Sequence, residues 1–152
     1  VLNVIPPQKA GLIAERAGVT NASGWVPVHG GTFESSQVQD VFVVGDASIA
    51  APMPKSAFAA NTQGKLVAAV IAAQLRGQAL PQASFSNTCY SLIGPDYGIS
   101  VAGVYKAEGG RVVEMPDSGG VSPLDADARF RRMEALYGQG WYSAITADIW
   151  GG

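Results

Sequence analysis

Apolar and polar positions are distributed unevenly along the chain. Residues 41–44, Val-Phe-Val-Val, form a short unbroken apolar run rich in β-branched residues, with the length of a buried strand. Gly45-Asp46 ends that run, and a loop bearing Pro52 and Pro54 follows. Good helix formers then occupy residues 55–76. The predicted order is buried strand, tight turn with a carboxylate, loop, helix. The helix is polar near its start, at Lys55, Ser56, Asn61, Thr62, Gln63 and Lys65, and almost wholly apolar afterwards. An all-round apolar helix is a buried one. Its polar start either lines a site or is the ordinary polarity of a helix N-terminus.

The pattern on either side differs in kind. Residues 1–5 read as a short strand ending at Pro6-Pro7, residues 8–17 as a helix closed by Gly18, and residues 25–28 as a short strand. Residues 77–85, with Pro81, read as a linker. Strands are predicted over 87–93 and 97–107, and Gly109-Gly110 closes a hairpin onto a third over 111–115. Ser122-Pro123 predicts a helix start, with Asp125 and Asp127 in the first turn. Phe130, Met133, Leu136 and Tyr137 fall near one face, as core packing would place them. Gly138 and Gly140 then end this helix, and residues 141–150 make a last short one. The fold class is α/β plus α+β, divided into residues 1–78 and 79–152. The first region has too few strands for a complete sheet.

Composition narrows the picture. The chain has 152 residues, 47% of them hydrophobic and only 14% charged, which argues against disorder. The net charge of −2, without a basic patch, argues against nucleic acid as a partner. The longest apolar run, 66–75, is too short to span a bilayer, and Lys65 and Arg76 bracket it. No G-x-G-x-x-G is present, and Gly30-Gly31 has the wrong spacing for one. With Val1 in place of an initiator Met, the expectation is the back portion of a longer polypeptide. Cys89 is the only cysteine, so it forms no bridge within the chain. It is either a small buried hydrophobe or a reactive thiol. His29 is the only histidine, and no metal site is predicted around it. No G-x-S-x-G elbow occurs.

Asp46 has two readings. One is a turn carboxylate bonded to its own backbone. The other is a ligand group, because ligands of open α/β sheets lie beyond the carboxyl ends of strands. The run DVFVVGDAS resembles the second flavin-binding motif of the FAD-dependent pyridine-nucleotide disulfide oxidoreductases. A longer series is more selective: NVIPPQKAG at 3–11, VFVVGDAS at 41–48, MPKSAFAANTQGK at 53–65, NTCYSL at 87–92, DYGISVAGVY at 96–105, GGVSP at 119–123 and GWYSAITADIW at 140–150. This series resembles the C-terminal part of the flavin subunit of flavocytochrome c sulfide dehydrogenase.

The resemblance implies the end of an FAD/NAD(P)-binding Rossmann-like domain followed by a small α+β C-terminal domain. It implies that Asp46, after Gly45, accepts hydrogen bonds from the ribityl chain of FAD. It places Pro54, Lys55 and Ser56 at the flavin pyrimidine. It makes Cys89 one half of a redox-active disulfide, with the partner cysteine upstream, as is any cysteine that attaches FAD. It brings Trp141 towards the active site. The implied activity is oxidation of sulfide, with electrons passed to a c-type cytochrome subunit in the periplasm. A sulfide:quinone reductase, an NAD(P)H-linked disulfide reductase and a non-catalytic interaction module remain the alternatives.

Overall fold

The structure is a computed structural model that describes residues 2–151. Helix α1 spans Leu12–Arg16 and strand β1 Val26–Pro27. A single 3-10 turn at Gly45–Ala47 leads into strand β2, Ser48–Ile49. Helix α2 spans Ala57–Leu75. Strands β3 (Ser84–Gly94), β4 (Tyr97–Glu108), β5 (Arg111–Glu114) and β6 (Gly120–Val121) follow, then helix α3, Ala128–Trp150. No helix among the described residues is long and apolar enough to cross a membrane.

The first region departs most from the sequence pattern. Residues 41–44 form no named strand: Phe42 makes one antiparallel bridge to Glu34, and the Val43 N–H donates to the Phe33 carbonyl. Val44 remains 37% exposed, so the run is not buried. An apolar β-branched run becomes a strand only with a neighbour to pair along its length, and only the short segment 33–35 lies beside it. The parallel pairing that does form is β1 with β2, limited to Val26↔Ser48 and Pro27↔Ile49. A doubly wound sheet is not present among the described residues. Leu2, Val4 and Ile5 are exposed and unpaired where a strand was predicted over 1–5, and Val1 lies outside the described residues.

Helix α2 starts where its cap allows. The Ser56 side chain accepts the Ala59 N–H at 3.0 Å, which satisfies one of the N–H groups a helix start leaves open. Ala59, Gln63, Val70 and Ala73 form its buried stripe, whereas Leu75 is 83% exposed. The helix therefore buries one face rather than its whole circumference.

The second region is a 4-stranded sheet in the order β3-β4-β5, with β6 also paired to β4. Long antiparallel pairing runs from Ser84↔Lys106 to Gly94↔Tyr97. Gly109 and Gly110, both at positive φ, close β4 onto β5 as a two-residue hairpin requires. Helix α3 corrects two expectations. Asp127 caps it, accepting the Phe130 N–H at 2.8 Å, while Ser122 is held by β4, its Oγ accepting the Ser100 N–H at 2.8 Å. The helix then runs unbroken through Gly138 and Gly140. Its buried stripe is Arg131, Ala135, Gly138 and Ile145. Phe130, Met133, Leu136 and Tyr137, expected in the core, are between 37% and 55% exposed. The sheet takes the small-residue face because it lets the backbones approach closely: a Cβ on Gly98 would lie 2.5 Å from the Ala135 nitrogen.

One core cluster joins the two regions. Phe33, Met53 and Ala59 pack with Phe85, Tyr105 and Val112. Phe33 meets Phe85 edge to face, with ring centroids 5.4 Å apart.

Candidate functional site

A crevice of about 420 Å³ opens between the Gly45 turn and the start of α2. Trp25, Ile49, Met53 and Pro54 supply apolar wall, and Gly45, Lys55 and Ser56 supply polar groups. An apolar slot with a few placed polar groups is the usual form of a small-molecule site. The crevice keeps its shape through the polar side chains around it. The Gly45 N–H donates to Gln63 Oε1 at 2.6 Å, and Gln63 is itself buried. The Lys55 ammonium donates to the backbone carbonyls of Asp46 and Ser48, and lies 4.0 Å from the centre of the Trp25 ring. It ties the turn to the helix start and brings positive charge to the crevice wall.

Asp46 sits on the rim of this crevice, exposed, and its carboxylate is not part of the wall. Among the described residues no hydrogen bond uses that carboxylate. The reading of Asp46 as a turn carboxylate bonded to its own backbone therefore fails, and its acceptor oxygens stay open towards solvent.

Cys89 does not line the crevice, yet one intervening side chain links it to a residue that does. The residue is exposed, which removes the reading of a buried structural thiol. Asn87, two positions earlier on β3, points to the same side of the sheet. Its carboxamide nitrogen donates to Cys89 Sγ at 3.4 Å, and its oxygen accepts the Ser56 hydroxyl. The N-cap of α2, a crevice residue, is thus one side chain away from the thiol. Asn87 was not singled out by the sequence; an asparagine two residues before a cysteine in a predicted strand, and so on the same face, was the available signal. Tyr105 shares this face of the sheet. Its hydroxyl occupies the space over Gly103, the strand partner of Asn87. Burial, then Glu114, then Cys89 raise the Tyr105 pKa above its ordinary 10.0.

Trp141 lies on the opposite side of β3. Side chains alternate along a strand, so Tyr90 points away from the Cys89 face. Trp141 packs on Tyr90, with ring centroids 6.2 Å apart, and stacks on Phe58 at 5.8 Å with the planes 12° from parallel. Phe58 belongs to the first turn of α2. The start of that helix is therefore held from two directions, by Asn87 on one side of the sheet and by Trp141 on the other. Burial is the main cause, and Glu134 the next, that raises the Tyr90 pKa above 10.0.

The residues present fit a flavin. The first N–H groups of α2 and the Lys55 charge form a donor set for an electron-rich ring edge, and the crevice beside them has apolar walls. The segment carrying Cys89 and Trp141, residues 81–150, matches the family model described as flavocytochrome c sulphide dehydrogenase, flavin-binding. Residues 81–150, the C-terminal portion of the chain, are thus similar to that flavin-binding domain.

Proposed function

We propose that the chain is the C-terminal part of the flavin subunit of a sulfide:cytochrome c oxidoreductase of the periplasm. The observation that carries the reading is the exposed Cys89 thiol, inside the family segment and joined through Asn87 to the helix start that walls the crevice. Bound FAD supplies a two-electron acceptor that releases electrons singly, which suits delivery to the haem of a c-type cytochrome subunit.

The chain's own residues divide the work. The start of α2, with Lys55 and Ser56 after Pro54, stabilises negative charge at the ring edge of the cofactor. Asp46, following Gly45, accepts hydrogen bonds from its hydroxylated chain. Cys89 pairs with a second cysteine contributed from outside these residues. Hydrosulfide attacks one sulfur of that disulfide: a new S–S bond forms to the incoming sulfur, the old one breaks, and its electron pair leaves on the second sulfur as a thiolate. The products are a cysteine persulfide and a cysteine thiolate. Trp141 closes the start of α2 from the far side of β3 through Phe58. The edge of residues 41–44 away from residues 33–35 supports the same reading, because an apolar segment bonded along one edge leaves the other for a partner strand.

The test uses the full-length, flavin-loaded protein. Adding sulfide bleaches the flavin absorbance, and Cys89→Ser abolishes the bleaching. Reoxidation by cytochrome c, and not by a soluble quinone, identifies the acceptor. An unbleached wild-type protein would overturn the proposal.

A further inference from the structure

We propose that Asn87 is a positioning residue for Cys89, locked by Ser56 so that its carboxamide N–H supports the sulfur as an anion. The inference deepens the sulfide-oxidising reading, on which its meaning for turnover rests.

Asn87 is only 2% exposed, so its amide finds its partners within the protein. The Ser56 oxygen already accepts the Ala59 N–H, which leaves its hydroxyl proton to donate outwards. Asn87 Oδ1 accepts that proton. With the oxygen committed to Ser56, the carboxamide can turn only by breaking this bond, and its NH2 is presented to Cys89 Sγ at 3.4 Å. The thiol can in turn donate to Oδ1, but only over 3.9 Å and to an oxygen that Ser56 already occupies. The donor is thus the nearer group, and a donor favours the charged form of its acceptor. In disulfide exchange the sulfur that leaves carries the negative charge, so a fixed donor at that sulfur speeds its departure.

The surroundings leave this contact readable. Val101 faces Cys89 from β4, and β6 brings Val121 alongside Val101. The titratable groups on this side of the sheet include Tyr105 of β4 and Glu114 of β5, and Asp117, in the loop before β6, lines the same hollow as Val101 and Glu114. Helix α2 brings the neutral Ser56. Tyr105, held above its ordinary 10.0, stays neutral while a thiol titrates.

The experiment is alkylation of Cys89 by iodoacetamide in the reduced, full-length protein, followed at the Cys89 peptide by mass spectrometry from about pH 6 to about pH 10, the span of thiol titration. Asn87→Leu keeps the volume and removes the donor. Its profile moves to higher pH, and alkylation near neutrality slows about tenfold, the size expected from one hydrogen bond to a charged group. Ser56→Ala frees the carboxamide and moves the profile in the same direction by less. Ser56→Thr, which keeps the hydroxyl, restores the wild-type profile. A purely structural role would scale the rate equally at every pH and leave the profile in place. An unmoved profile in Asn87→Leu overturns the proposal. If that variant does not fold, an unmoved profile in Ser56→Ala overturns it instead. Sulfide bleaching measured on Cys89→Ser separates the two readings. Bleaching that survives there removes the redox role, and a displaced alkylation profile still establishes the Asn87 contact.

Discussion

Single residues decide where backbones meet and where charge is held. A Cβ at Gly98 would stand 2.5 Å from the nitrogen of Ala135 and 2.7 Å from the carbonyl carbon of Glu134. Neither backbone atom can move without lifting α3 from the sheet. Gly98→Ala is expected to destabilise the protein by at least about 1–3 kcal/mol, the cost of overpacking, read as a lowered denaturation midpoint. Gly140, on the exposed side of α3 with no atom near its missing Cβ, is the opposite case. There an alanine is expected to stabilise by up to about 1 kcal/mol through helix propensity alone. Under the functional proposal, Asp46→Ala weakens flavin retention by about tenfold or more, since hydrogen bonds to a carboxylate contribute about 1.5–3 kcal/mol. Equilibrium dialysis of the flavin-loaded full-length protein measures it. Unchanged retention would return Asp46 to the surface.

At the scale of elements, helix ends and helix faces are where local pattern and tertiary structure part company. Asp127, not Ser122, caps α3 because Ser122 is held in the sheet by Ser100. Asp127→Ala is therefore expected to cost about 0.5–2 kcal/mol by loss of the cap. Ser122→Ala should leave helix content unchanged by circular dichroism, because its hydroxyl serves β4. The chain continues as helix through Gly138 and Gly140 although glycine costs about 1 kcal/mol per position in a helix interior. Docking repays this cost: at Gly138 an added Cβ would sit 3.3 Å from the Tyr90 Cβ, so the glycine lets strand and helix approach. Counting large apolar residues pointed to the wrong face of α3. The contact surface is built from Ala135 and Gly138, whose value is their small size. The β4–β5 hairpin was legible in advance, because a Gly-Gly turn is a local signal. Residues 41–44 were not, because pairing depends on a neighbour the segment does not contain.

For the whole molecule, the Phe33–Phe85 contact joins packing from both sides of residue 78. Phe85→Ala is expected to cost about 3–5 kcal/mol and to lower the melting of elements on both sides together. The alkaline limit of stability follows from Tyr90 and Tyr105. Their pKa values are raised in the folded protein, mainly by burial. The folded state therefore holds their protons when the unfolded state has begun to lose them at 10.0. This contribution is complete below pH 10.0 and is lost as pH rises through the folded values. Denaturant titrations above that pH should show falling stability, with a shallower slope in Tyr105→Phe. The exposed Lys65–Asp148 pair between α2 and α3, 2.5 Å apart, should matter little and vanish in salt.

By itself the sequence determined what nearest neighbours along the chain control: a helix beginning just after Pro54, strands over most of β3 and β4, the Gly109-Gly110 turn, and a cysteine in a setting similar to a sulfide-oxidising flavoprotein. Tertiary structure alone decided which groups share a side. It put Cys89 and Trp141 on opposite faces of one strand, joined the thiol through Asn87 to a helix start 31 positions before that asparagine, and left Asp46 on a rim. The physical reason is range. Propensity and turn chemistry act over a few residues, whereas a hydrogen bond such as that between Ser56 and Asn87 exists only after two distant segments have packed.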